Sequence, residues 1–166
     1  MYISNKPQKA DRAGFAGSGR GHIMKERIKN RVHELYWNDD INCARTAIIC
    51  LSELFETVVE QQTICSAVGL HGAGGYRAQC GLVEGTLMFI GVYLHKMGKR
   101  EDEIVSACYN FAFAFEKAFG SLRCLELRPT GFSENDPPHM CENLTCMDSK
   151  WKKKKAGNYL VVSDIF

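Results

Sequence analysis

The chain has 166 residues, 45% of them hydrophobic, and a formal net charge of +2; at this length one core can bury roughly two-thirds of the unfolded surface, so disulfides are not needed to hold it. The longest apolar run, residues 82–94, is 13 residues and carries Glu84, which excludes a membrane-spanning helix of about 20 apolar residues. The charge is uneven, with 17 acidic against 12 basic residues over 25–149 and an excess of +3 and +4 at the two ends, and an acidic body argues against nucleic-acid binding as the main task.

Residues 1–23 mix Gly, Ser, Lys and Arg without periodicity and read as a flexible arm or an expression leader ahead of Met24; they lack the unbroken apolar core of a secretory signal. From Met24 to Trp37, Ile28, Val32, Leu35 and Tyr36 recur at helical spacing and predict a first helix. Asp39 or Asp40 can cap a second, amphipathic one, whose stripe runs through Ala44, Ala47, Ile48, Leu51, Leu54, Phe55 and Val58. A short helix over 60–70 is followed by a loop at 71–75, because four glycines within 69–75 make a helix entropically costly. Helix resumes near Ala78 or Cys80 and runs to about Met97; it is apolar all round, hence central, and Gly98 stops it.

Three acids at 101–103 suit the start of the next helix, in which Ile104, Cys108, Phe111, Phe115 and Phe119 fall at steps of three or four before Gly120 ends it. Phe113 is read with the other phenylalanines as core. A loop from Arg128 to His139 leads to a last helix near Cys141, which decays into a lysine-rich tail over 150–166; its lysine run is read as a solvated tail. With no strand repeat, the expected fold is all-α, a single-domain bundle of five to six helices whose four-cysteine body spans 24–149.

The eight cysteines are the most informative residues. No C-x-x-C occurs, which excludes thioredoxin-like, zinc-knuckle and haem-attachment motifs, so any metal site has to be assembled from separate helices. Cys43, Cys80, Cys124 and Cys141 lie at predicted element ends. There the helix dipole and free N–H groups favour the thiolate, which is both nucleophile and metal ligand, and Arg77 and Arg123 push the same way. Cys50, Cys65 and Cys108 fall inside helices and read as inert buried thiols. Cys146 fits neither group and is the alternative to Cys141 as a fourth site cysteine.

Asn42 and Cys43, then "GAGGYRAQCGLVEG", then "AFGSLRCLEL", then a cysteine after a proline-rich loop together resemble the family of redox-active proteins named for its C-GCAxxG-C-C cysteine pattern. The resemblance covers about residues 30–150. It implies a small helical domain defined by four cysteines, here Cys43, Cys80, Cys124 and Cys141, with Gly81 and Gly85 as the motif glycines and Leu82 in place of the motif alanine. A related domain in a split-Soret cytochrome holds an iron-sulfur cluster. The resemblance therefore implies an electron-transfer protein with such a cluster, of the two-iron type if the cofactor follows the relative. Two other readings stay open: a metal-free thiol-disulfide redox protein, and a helical interaction module with a structural zinc site. Whether the chain is an enzyme is left open. Its expected setting is the cytoplasm, where thiols stay reduced, with an unidentified redox partner protein, no membrane span, and a homodimer as one available state.

The residues around the motif are weighed on their own chemistry. A phosphate cradle at the glycine loop lacks a preceding strand and a Gly-Lys-Ser or Gly-Lys-Thr ending, so Gly74 and Gly75 are read as shaping a close helix approach. Glu84, one turn after Cys80 in an apolar helix, pairs with a cation or lines the site. His71, the histidine nearest the motif, is read as a loop residue bonded to water.

Overall fold

The computed structural model describes residues 17–148 except 129, 131 and 134; residues 1–16 of the arm expected over 1–23, and the lysine tail at 150–166, lie outside the described residues. The first helix, α1 (Gly17–His33), begins ahead of Met24, so the expected boundary at 23/24 falls inside it. It continues as one π-helical stretch, Glu34–Asn38. Ile28, Val32, Leu35 and Tyr36 are buried as their spacing implies.

Helix α2 spans Cys43–Leu54 and is capped by Asn42 rather than by either aspartate. An N-cap needs extended backbone; Asn42 has it, at φ −69° and ψ 163°, whereas Asp40 sits at φ +50°. The Asn42 side-chain oxygen accepts the Arg45 N–H at 3.0 Å, and its amide donates to the Ala67 and Val68 carbonyls at 3.2 and 2.6 Å. One side chain thus caps α2 and holds the segment that leads into the glycine loop. Asn42→Ala is expected to cost about 2 kcal/mol, the upper end for a cap, read as a lower urea midpoint with an unchanged slope.

Helix α3 (Gln61–Ser66) runs on into a 3-10 turn, Ala67–Gly69. Helix α4 (Gly81–Lys96) follows the loop and stops where expected: Gly98, at φ +72°, donates to His95 O at 2.9 Å and Lys99 N–H reaches Leu94 O at 3.1 Å, the paired bonds of a left-handed glycine stop. Helix α5 (Glu101–Phe119) opens with the Arg100 N–H bonded to the Glu103 carboxylate at 3.1 Å and ends at Gly120. Helices α6 (Cys124–Leu127) and α7 (Glu142–Asp148) are short. The fold is all-α, and among the described residues five helices have seven residues or more while α3 and α6 are shorter. None of these helices is long and apolar enough to cross a membrane.

Helix α4 is the centre, packed between α2 and α5. Leu82, Val83, Phe89 and Ile90 are almost wholly buried and meet Leu51, Phe111 and Phe115 in one core. Phe113 departs from its expected place and is 58% exposed. Two residues along a helix is a rotation of about 200°, so Phe113 cannot share the face of Phe111 and Phe115.

Candidate thiol centre

The glycine loop and the segment before α6 run antiparallel for a few residues. Cys80 N–H donates to Leu122 O at 2.8 Å, Cys124 N–H donates to Ala78 O at 2.7 Å, and Gln79 faces Arg123 between them. These bonds set Cys80, the N-cap of α4, beside Cys124, the first residue of α6. Cys43, the first residue of α2, arrives through the contact of α2 with α4. A Cβ on Gly81 would fall well inside contact distance of Cys43 Sγ and the Leu70 carbonyl oxygen; one on Gly85 would overlap the Ala44 carbonyl. The two helices touch backbone to backbone there, which only glycine permits.

Cys141 precedes α7. Its carbonyl accepts both the N–H and the hydroxyl of Thr145 at 2.9 Å, and the Tyr36 hydroxyl in turn donates to Thr145 Oγ1 at 2.7 Å. A buried tyrosine at the end of α1 thereby fixes the start of α7. Tyr36 also stacks on His139 at 4.9 Å, whose Nε2 meets Asp40 at 3.1 Å.

Cys43, Cys80, Cys124 and Cys141 therefore come from four separated segments and lie close enough for a charge on one to oppose ionisation of the others. Cys80 is 3% exposed; the other three are half-buried. Burial pushes all four thiols up from their ordinary value of 9, Cys80 to about 12 and Cys43 well up; charge on neighbouring thiols adds to it at Cys43, Cys80 and Cys141, and the Glu84 carboxylate adds to it at Cys124. The expected depression by helix ends is thus reversed. The N–H groups are present, from Leu82 and Val83 at Cys80 and from Ala44 at Cys43, but loss of water outweighs them. Arg77 favours the Cys124 thiolate, and Arg128 favours those of Cys124 and Cys141. Both guanidinium groups also lie over the Phe132 ring, at 4.4 and 4.6 Å. Arg123 instead pairs with Glu126 at 3.2 Å.

These directions fix a pH dependence. Because folding raises the thiol pKa, the metal-free fold holds its protons more tightly than the unfolded chain does. The associated stability is complete below about pH 9 and is lost as pH climbs toward the folded value, about 12 for Cys80. Urea midpoints of metal-free protein are expected to fall as pH rises above about 9, with the decline reduced in a Cys80→Ser variant.

Cys146 packs with Cys50 on the strip of Ile28, Val32 and Tyr36, on which Cys43 also rests. Cys108 is half-buried against the core, whereas Cys65 is exposed, contrary to its expected burial. A Cβ on Gly74 or Gly75 would meet nothing within 4 Å; at φ +65° and +86° these glycines serve the left-handed turns of the loop. Within the loop, the glycine that meets the centre is Gly72, whose Cβ would lie 3.2 Å from Cys124 Sγ and whose φ is +69°. The Glu84 Oε2 is buried without a hydrogen-bond partner, and its charge acts on Cys124, so this carboxylate lines the centre. His71 Nδ1 bonds to the Val68 carbonyl at 3.1 Å rather than to water alone. Tyr36, Gly72 and Arg128 carry no motif signal. Among the described residues, no group of three or more His, Cys, Asp or Glu side chains is arranged to hold a metal ion.

A family model described as "Putative redox-active protein (C_GCAxxG_C_C)" matches residues 41–154, well over half of the chain. The chain belongs to this family. No curated protein and no solved structure matches it. At Gly81 even an alanine methyl would collide with Cys43 and Leu70.

Proposed function

We propose that this member of the redox-active family is an electron-transfer protein whose Cys43, Cys80, Cys124 and Cys141 hold an iron-sulfur cluster. The observation that carries the reading is the convergence of four thiols from four separate segments on one largely enclosed place. The donor set fits in kind, number and burial, since soft thiolates select iron-sulfur clusters, zinc or copper(I); the four would still have to draw together to bind, because no three of the described side chains are arranged to hold an ion. Zinc has no redox chemistry, which sits poorly with the family's description. A metal-free thiol couple is disfavoured because thiols held protonated at neutral pH are slow nucleophiles, whereas coordination deprotonates a thiol outright.

When bound, the cluster would supply a one-electron store. The chain supplies the setting. Gly81 and Gly85 hold α2 and α4 together so that Cys43 and Cys80 are neighbours. The Ala44, Leu82 and Val83 N–H groups face the two sulfurs with the most strongly raised thiols. Arg77 and Arg128 add positive charge on the Cys124 and Cys141 side, opposed by Glu84, and such groups raise or lower the potential according to their sign. A cytoplasmic setting suits eight cysteines held as thiols, and an electron carrier needs a partner protein. Anaerobic purification followed by iron, acid-labile sulfide and zinc analysis tests the reading. Iron and sulfide in equal amounts are expected; zinc alone would make the site structural, and no metal with two titratable disulfides would make it a thiol couple.

A further inference from the structure

Two cysteines outside the four also come together. Helix α1 is flanked by α2, tied to it by Arg31 Nε to Glu53 Oε1 at 3.0 Å, and by α7, tied to it by His33 to Glu142 at 2.8 Å, Trp37 Nε1 to Glu142 at 2.9 Å and the Tyr36–Thr145 bond. Cys50 stands one turn before Glu53, and Cys146 one turn after Glu142. Both are half-buried and both pack on the apolar strip formed by Ile28, Val32 and Tyr36, which Cys43 of the four-thiol centre also touches. They are near enough for a charge on Cys146 to oppose ionisation of Cys50. Cys50 also lines a cleft of about 450 Å³ between α1 and α2, with Arg27, Arg31, Glu34 and Glu53 around it, so a small polar oxidant can reach it. The other helix cysteines are placed elsewhere in the fold: Cys65 is exposed on α3, and Cys108 packs on the α5 side of the core.

We propose that Cys50 and Cys146 are a second redox site, a pair that closes as a disulfide between α2 and α7. The oxidant is a small-molecule disulfide such as oxidised glutathione. Burial pushes the Cys50 thiol up to about 12, so exchange is slow at neutral pH and proceeds at alkaline pH, where the Cys50 thiolate attacks one of the oxidant's sulfurs and expels the first small thiol. The Cys146 thiolate then attacks the Cys50 side of the mixed disulfide, forms the Cys50–Cys146 bond and expels the second. Two protein S–H bonds are lost and two small-molecule S–H bonds are made, so the pair's two electrons end on the reduced glutathione. Because α2 begins at Cys43 and α7 follows Cys141, the link locks together two of the elements that build the four-thiol centre. The site is independent of any cofactor, so the cluster reading can fail without affecting it.

The test is peptide mapping of the full chain. Protein shown to be folded by circular dichroism is incubated with oxidised glutathione at mildly alkaline pH, alkylated with iodoacetamide, digested without reduction and analysed by mass spectrometry. The expected result is a cross-linked Cys50–Cys146 peptide, with both residues lost together from the alkylated pool and recovered on reduction. Folded Cys50→Ser and Cys146→Ser proteins are expected to lack the cross-link and to carry glutathione on the cysteine that remains. Wild-type protein with separate glutathione adducts on Cys50 and Cys146, with both alkylated, or with Cys146 joined to Cys43, Cys80, Cys124 or Cys141, would overturn the proposal, and this outcome is readable without either variant.

Discussion

A Gly85→Ala protein is expected to be less stable than the wild type by about 3 kcal/mol, the cost of strong overpacking, with a melting temperature lower by roughly 6–12 °C for a domain of this size. The added methyl would overlap the Ala44 carbonyl, carbon as well as oxygen. A side chain could turn aside; the first turn of α2 cannot. Relief requires α2 and α4 to separate, which loosens the packing of Ala47 and Leu51 against Leu82 and Val83 and draws Cys43 away from Cys80. Gly91, on the same helix, has nothing within 4 Å of its Cβ position. Gly91→Ala is expected to stabilise the protein by about 0.5–1 kcal/mol through helix propensity alone. Equal effects of the two alanines in urea unfolding would contradict the backbone contact between α2 and α4.

The second large effect concerns the thiols. Cys80→Ser is expected to keep the fold, because Cys80 occupies the N-cap of α4 and serine is among the best capping residues. It is expected to weaken retention of iron and sulfide by more than about 100-fold, beyond the loss seen when a residue that merely supports a ligand is changed. Cys108→Ser removes a thiol from outside the centre and is expected to retain both. Iron and sulfide assays on the two variants, with circular dichroism as the fold control, check the contrast; a Cys80→Ser protein that kept its full complement would remove Cys80 from the ligand set.

Legibility from sequence follows locality. Helices α4 and α5 and their stops at Gly98 and Gly120 are readable because periodicity and a left-handed glycine are written in adjacent residues. The cap of α2 points to Asp39 or Asp40 in the sequence because several good capping side chains stand in a row; backbone angles, which composition does not carry, select Asn42. The start of α1 before Met24 escapes because the residues from Gly17 onward show no apolar repeat. The same division runs through the centre. The cysteines at element ends can be singled out by position, whereas Tyr36, Gly72 and Arg128 approach them only through the tertiary fold. The thiol pKa direction reverses for that reason: helix ends are local and favour the thiolate, but burial is a property of the whole fold and is the larger effect.

The central claim is that the four thiols serve an iron-sulfur cluster, and its most direct measurement is the visible absorption of anaerobically purified full-length protein before and after dithionite. The account predicts a brown protein whose visible band bleaches on reduction and returns on reoxidation, and whose band is lost in Cys80→Ser. A colourless protein that contains zinc, or no metal, and does not respond to dithionite in the visible would contradict it.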